Sequence, residues 1–284
     1  MFMNIEVFNK LPKEEVEKAL FSCCGSMKWV ENVMQAYPFA DEKILLSQSI
    51  DSWYEKCDDA DYLEAYGHHP EIGDVNSLTK KNAGKEQASI STASIQTIEN
   101  LSKANFEYNQ KYGFIFIICA TGKSASEMLR LMQARLKNTM EEEMKISMGE
   151  QMKITIIRFQ KLISEGNWSF LKVSQLTTHV LDTAIGKPGK DILIRLQKLQ
   201  SGAWQTFAQG ITNGDGRIAD LLPQNRILSS GNYNVSFDTE SYFESQKITG
   251  FYPEVNIQFT VFDDTHYHVP LLINPFGYST YRGS

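Results

Sequence analysis

Glu254-Val255-Asn256-Ile257-Gln258-Phe259-Thr260-Val261 alternates polar and apolar side chains without a break. In an extended chain successive side chains point to opposite faces, so this run predicts a strand with one face in a core and one in solvent. The same period of two runs through Ile192, Ile194 and Leu196, and through Tyr233, Val235 and Phe237. Several such segments, separated by turns of Gly, Asn and Pro, predict an all-β sandwich over residues 175–284. Upstream the period changes. Met144, Met148, Met152, Ile156, Phe159 and Ile163 recur at spacings of three and four, which predicts one apolar stripe along a helix. The stripe reads as core packing and not as a cofactor pocket, because unbranched Met commonly fills helical cores. Ser124-Ala125-Ser126-Glu127 has the form of a capping box, and Thr139-Met140-Glu141-Glu142 repeats the device. The helical pattern extends from residue 11 to 165, where Ser164-Glu165-Gly166-Asn167-Trp168-Ser169 ends the last helix and begins a linker. The expected organisation is an all-α domain over 1–168, a linker over 169–174 and the sandwich over 175–284.

The bulk properties agree with two domains, since 284 residues exceed the usual size of one. A formal charge of -6 argues against a nucleic-acid partner, which wants a basic face, but leaves room for a small anionic substrate. No apolar run approaches the roughly 20 residues of a spanning helix, so no membrane association is expected. Met1–Lys10 has no basic start followed by an apolar stretch and does not read as a signal peptide. Cys23, Cys24, Cys57 and Cys119 all fall in the first half, with spacings that fit neither a metal knuckle nor a disulfide frame. Free thiols point to a reducing compartment, and a cytoplasmic location is expected.

Four stretches in the second half carry the chemistry: Leu176-Thr177-Thr178-His179-Val180-Leu181-Asp182-Thr183; Asn213-Gly214-Asp215-Gly216-Arg217; Tyr267-His268-Val269-Pro270-Leu271-Leu272; and Pro275-Phe276-Gly277-Tyr278-Ser279-Thr280-Tyr281-Arg282-Gly283-Ser284. In that order they resemble 5-hydroxyisourate hydrolase, the transthyretin-like enzyme of urate breakdown. Transthyretin itself shares the fold but lacks this combination. The last four residues are expected to form the C-terminus. Opening a ring amide with water needs a base and positive charge where the oxyanion develops, which two imidazoles and a guanidinium meet without a metal. The resemblance implies that His179 and His268 orient and deprotonate the water. It implies further that Arg217 binds the anionic face of the substrate and keeps a neighbouring His neutral. Tyr281, Arg282, Gly283 and Ser284 would close the pocket. A lone strand His is more often structural; the motif context reverses that reading. His266-Tyr267-His268 could supply two zinc ligands on one face, but a structural zinc wants four and no Cys lies in this half. Asn213–Gly216 is no calcium loop, because Ile211 and Leu222 hold the first and twelfth positions; it reads as a Gly-rich turn that aims Arg217. The resemblance also implies a homo-oligomer, a tetramer through the C-terminal domain.

The first half carries a second set: Cys23-Cys24-Gly25-Ser26-Met27-Lys28-Trp29; Gly67-His68-His69-Pro70-Glu71-Ile72-Gly73-Asp74; Gly84-Lys85-Glu86-Gln87; Phe116-Ile117-Ile118-Cys119-Ala120-Thr121-Gly122-Lys123-Ser124-Ala125; Ala134-Arg135-Leu136-Lys137-Asn138; and Glu150-Gln151-Met152-Lys153-Ile154. Across residues 10–165 these resemble the all-helical 2-oxo-4-hydroxy-4-carboxy-5-ureidoimidazoline (OHCU) decarboxylase, which acts directly after the hydrolase. Ala83 stands where the family often has Ser. The imine and carbonyl system of the substrate absorbs the electron density left by carbon dioxide, so no cofactor is expected. The resemblance implies His69 as the acid/base at the 4-hydroxyl, presented by the turn that Pro70 fixes. Glu86 and Gln87 would hydrogen-bond the ureido group and ring nitrogens, and Arg135 would hold an anionic or carbonyl edge. Adjacent side chains face different ways, so only one of His68 and His69 can enter a pocket, and His69 is expected there. Neither is expected to hold a metal. The bland alternative for Arg135 is a surface partner of Glu141 or Glu142. The expectation is one enzyme with two substrates, 5-hydroxyisourate and OHCU, and (S)-allantoin as product. The competing expectation is a transthyretin-like binding or scaffold protein with one or both sites inactive.

Overall fold

In the computed structural model, residues 3–70 and 95–283 are described. The chain forms two compact units: one holds the residues up to Met140 and Glu150–Leu171, the other Glu141–Gly149 and the residues from Lys172 onward.

The helical unit begins with α1 (Ile5–Phe8), α2 (Lys13–Cys24), α3 (Met27–Met34), α4 (Glu42–Glu55) and α5 (Asp59–Gly67). Four of these five starts are capped by a side chain. The side chains of Asn4, Ser26, Asp41 and Asp58 accept backbone N–H groups at the starts of α1, α3, α4 and α5. Gly25 ends α2 at φ +90°, and a Cβ there would crowd the end of α5 at Ala65 and His68. The turn therefore needs glycine for both conformation and close approach.

Beyond these come α6 (Ile95–Tyr112), α7 (Ala125–Arg135) and α8 (Met140–Leu162). The expected box at Ser124 forms, with Ser124 and Glu127 each satisfying the other's backbone. Between α6 and α7, residues 115–120 belong to neither helix nor strand. Of the expected stripe, Met144, Met152, Ile156, Phe159 and Ile163 are buried and Met148 is half-buried. Yet from Glu150 to Ile156 every residue of α8 is buried, polar ones included. The helix is enclosed on more than one face, and its polar face is used for something other than solvation.

The second unit is a sandwich. One sheet runs β10-β9-β1-β2, with β5 and β8 also pairing to β1, and the other runs β4-β3-β6-β7. The strands are β1 (Leu176–Asp182), β2 (Lys187–Pro188), β3 (Leu193–Gln200), β4 (Ala203–Ile211), β5 (Arg217–Ile218), β6 (Gly231–Asp238), β7 (Glu254–Val261), β8 (Tyr267–His268), β9 (Leu271–Asn274) and β10 (Gly277–Thr280). Ile194, Leu196, Val235, Phe237, Val255 and Val261 meet Leu176, Val180 and Leu271 in one core. A short helix, α9 (Thr239–Ser245), joins β6 to β7, started by Asp238 accepting from Ser241 N–H. Strand periodicity carried no sign of it, because the signal there is a single capping residue.

Candidate active sites

β1 buries alternate residues, which leaves Thr177, His179 and Leu181 on its outer face. Two short strands bring partners to that face. His179 pairs in register with Arg217 of β5, and Thr177 with His268 of β8. Arg217 is aimed by the turn before it: Asn213 Oδ1 accepts the N–H groups of Asp215 and Arg217, both at 3.0 Å. Gly216 sits at φ +69°, where a Cβ would strike the Val180 carbonyl, while its own carbonyl accepts from Val180 N–H at 2.8 Å. Only glycine satisfies both demands.

The electrostatics follow from this placement. Partial burial lowers the pKa of His179 below the ordinary imidazole value, Arg217 lowers it further, and Asp215 opposes the shift. Burial comes first for His268 too, followed by the charges of Arg217, His266 and His179. Both shifts favour the neutral ring, with desolvation ahead of Arg217 as the cause. The tail folds back across β8. Gly283 pairs with His268 and donates its N–H to the His268 carbonyl at 3.0 Å, and a Cβ at Gly283 would collide with the imidazole. The Arg282 guanidinium lies 5.5 Å above the Tyr267 ring, whereas Tyr281 is 60% exposed. Ser284 lies outside the described residues. One group on this face was given no role from sequence: Thr177 Oγ1 is 2.9 Å from both His266 Nε2 and His268 Nδ1.

In the helical unit, the chain leaving α5 places His69 and Pro70 at a cleft of about 40 Å³, whose other walls include Phe116, Cys119, Ile154 and Ile157. His68 is exposed and packs edge-on against Phe21 instead. His69 Nε2 is 2.7 Å from Gln151 Oε1, and Arg158 approaches His69 Nδ1 at 3.4 Å. The Gln151 amide is oriented by its own donor, which reaches the Cys24 carbonyl at 3.1 Å. Its oxygen must then accept from His69 Nε2–H, leaving Nδ1 as the lone pair that faces Arg158. Burial, then Arg158, then His68 push the His69 pKa down to about 4, against the opposing Gln151 bond. The result is a neutral imidazole of defined tautomer at an apolar cleft beside a cation. The far wall is pinned as well: Glu150 accepts from Cys119 N–H at 2.7 Å and pairs with Lys153 at 2.5 Å, both side chains 8% exposed.

Arg135 is 2% exposed, which corrects the surface-partner reading. Its guanidinium lies 4.5 Å over the Phe116 ring and donates to the Ile117 carbonyl at 2.8 Å, behind two residues that line the cleft. Glu86, Gln87 and Ala83 lie outside the described residues. Gln151 entered the sequence reading only inside a quoted stretch, with no role, and Arg158 not at all, although a signal exists. Gln151, Thr155 and Arg158 recur at i, i+4 and i+7, a line of polar side chains along one side of the helix. Among the described residues, no group of three or more His, Cys, Asp or Glu is placed to hold a metal, and no helix is long and apolar enough to cross a membrane.

A helical unit with a neutral His at an apolar cleft, followed by a sandwich with two neutral His and an Arg on one sheet face, defines a two-site protein equipped for acid–base chemistry. The OHCU decarboxylase family model matches residues 9–160, and the HIUase/transthyretin family model matches residues 176–283. The uric acid degradation bifunctional protein TTL of Arabidopsis thaliana is 31% identical over 317 residues, covering 92% of this chain and 96% of that protein. The chain belongs to this family of bifunctional uric acid degradation proteins, joining an OHCU decarboxylase domain to a HIUase/transthyretin domain. The 5-hydroxyisourate hydrolase of Mus musculus is 44% identical over 114 residues, 39% of this chain and 96% of that one. A solved (S)-allantoin synthase aligns over 99% of this chain and 100% of its own, with 23% identity and a TM-score of 0.45.

Proposed function

We propose that the chain hydrolyses 5-hydroxyisourate at the sandwich site and decarboxylates the resulting OHCU at the helical site, yielding (S)-allantoin. The observation that carries the reading is the convergence of His179, Arg217, His268 and Gly283, from four separate segments, on one face of one sheet. His268 and His179 serve as the bases that orient and deprotonate water, and their lowered pKa values keep them unprotonated at neutral pH. Arg217 holds the anionic edge of the substrate and offsets the charge of the oxyanion. Tyr281, Arg282, Gly283 and Ser284 close the site over the substrate. In the helical unit His69 exchanges the proton at the 4-hydroxyl, Pro70 fixes its turn, and Glu86 and Gln87 contact the ureido group and ring nitrogens. Arg135, buried behind Phe116 and Ile117, acts on the substrate only through the wall it supports, in place of the direct contact expected from sequence. No cofactor enters either step.

We place the domain boundary in 169–174, with residues 1–168 as the decarboxylase and 175–284 as the hydrolase. The protein works as a cytoplasmic homo-oligomer, a tetramer through its sandwich. Coupling two sites suits intermediates that decay on their own, because a second site nearby raises the chance of capture. The test is a coupled assay in which 5-hydroxyisourate is generated from urate in situ and followed by ultraviolet absorbance and circular dichroism. Accelerated decay of both intermediates with an (S)-allantoin signal is expected. No acceleration of either would favour a binding or scaffold role.

A further inference from the structure

Thr177 has one hydroxyl proton and two imidazole nitrogens at 2.9 Å, His266 Nε2 and His268 Nδ1. A hydroxyl can donate to only one of them, so the other must donate to it. For His268 to act as a base on water its Nε2 must carry the lone pair, which puts the proton of the neutral ring on Nδ1, the nitrogen that faces Thr177. The order is then fixed: His268 Nδ1–H donates to Thr177 Oγ1, and the Thr177 hydroxyl donates to His266 Nε2. Nε2 of His268 is left as the lone pair. At the far end, His266 is exposed, with its ring 6.4 Å from that of His268 and within 15° of parallel to it.

We propose that Thr177 and His266 form a relay that carries the proton produced by ring hydrolysis from His268 to solvent. The proposal rests on the hydrolase reading of the sandwich site. Hydrolysis of a ring amide breaks the carbon–nitrogen bond and forms a carbon–oxygen bond. One hydrogen of water goes to the leaving nitrogen, and the acid formed ionises near pH 7, so each turnover releases one net proton. When His268 Nε2 accepts that proton, the Nδ1 proton passes to Thr177 as the hydroxyl proton passes to His266 Nε2. His266 then discharges from Nδ1 into water. Hydroxyl rotation and tautomer exchange of the two rings reset the chain. Both Thr177 and His266 act through His268 and touch no reacting atom, so they are positioning and relay residues.

The experiment measures hydrolase kinetics of the full chain at low buffer concentration for wild type, T177S, T177V and H266Q, with and without added imidazole. Wild-type behaviour is expected for T177S. A kcat loss of about tenfold with unchanged KM is expected for T177V and H266Q, a modest share of what general acid–base groups contribute. Imidazole should restore H266Q, and decarboxylation by the same preparations should be unchanged. His266 is exposed, so H266Q tests the relay even where T177V disturbs the strand. Unaltered kcat for H266Q at low buffer, with wild type active and H268A inactive, overturns the relay while the hydrolase site stands. A wild-type chain without hydrolase activity overturns both.

Discussion

His69 makes part of this fold sensitive to acid, and the sensitivity has a magnitude. In the folded chain its pKa is pushed down to about 4, whereas the free imidazole titrates near 6.5. Burial is the first cause and the Arg158 charge the second. The sign follows from linkage: between these values the unfolded chain binds a proton that the folded chain refuses. The stability held by neutral His69 is present in full above pH 6.5 and is lost as pH falls through 4. At about 1.4 kcal/mol per pH unit, the window from 6.5 to about 4 amounts to about 3 kcal/mol, of which about 2 is lost between pH 7 and pH 5. That is a large share of the stability of one domain. Two measurements check it. Urea unfolding of wild type and H69Q, followed by helical circular dichroism at pH 7 and pH 5, should show a pH-dependent loss about 2 kcal/mol smaller in the variant. Nuclear magnetic resonance of the histidine Cε1–Hε1 groups should show one resonance, absent in H69Q, that stays neutral to below pH 5 and titrates higher in R158Q. A midpoint at 6.5 for that resonance, or equal acid losses in both chains, would refute the reasoning.

H268A should abolish ring hydrolysis and leave decarboxylation intact, measured on one preparation; loss of both would indicate a folding defect instead. R217Q removes a charge that disfavours imidazolium at both His179 and His268, so the acid limb of the hydrolase pH–rate profile should move to higher pH. An acid limb that stays put would detach Arg217 from the two rings. G283A forces a Cβ against the His268 imidazole, and displacing a base by about 1 Å can cost about 100-fold in kcat. A wild-type rate for G283A would mean that the tail does not set the position of His268.

The strands were legible because alternation along β3, β6 and β7 is a local property, recorded at every second residue. The Asn213–Gly216 turn was legible for the same reason, its glycine and side-chain acceptor lying within a few residues of Arg217. α9 was not legible, because its start depends on one Asp at the end of a strand. Arg135 was placed on a helix but not in its surroundings, since the Ile117 carbonyl and Phe116 ring that bury it come from the segment between α6 and α7. Pairing of Glu150 with both Lys153 and the Cys119 amide was hidden likewise, for a buried carboxylate looks in sequence like any solvated one.

By itself the sequence determined that a helical half is followed by a stranded one, and which residue types stand ready for acid–base work. Tertiary structure decided what those residues meet. The partners of His69 lie 82 and 89 residues away, at Gln151 and Arg158, and those of Thr177 lie 89 and 91 residues away, at His266 and His268. Periodicity extends only over neighbours along the chain, while a pKa and a proton path depend on distance through space and on exclusion of water. Only packing supplies either one.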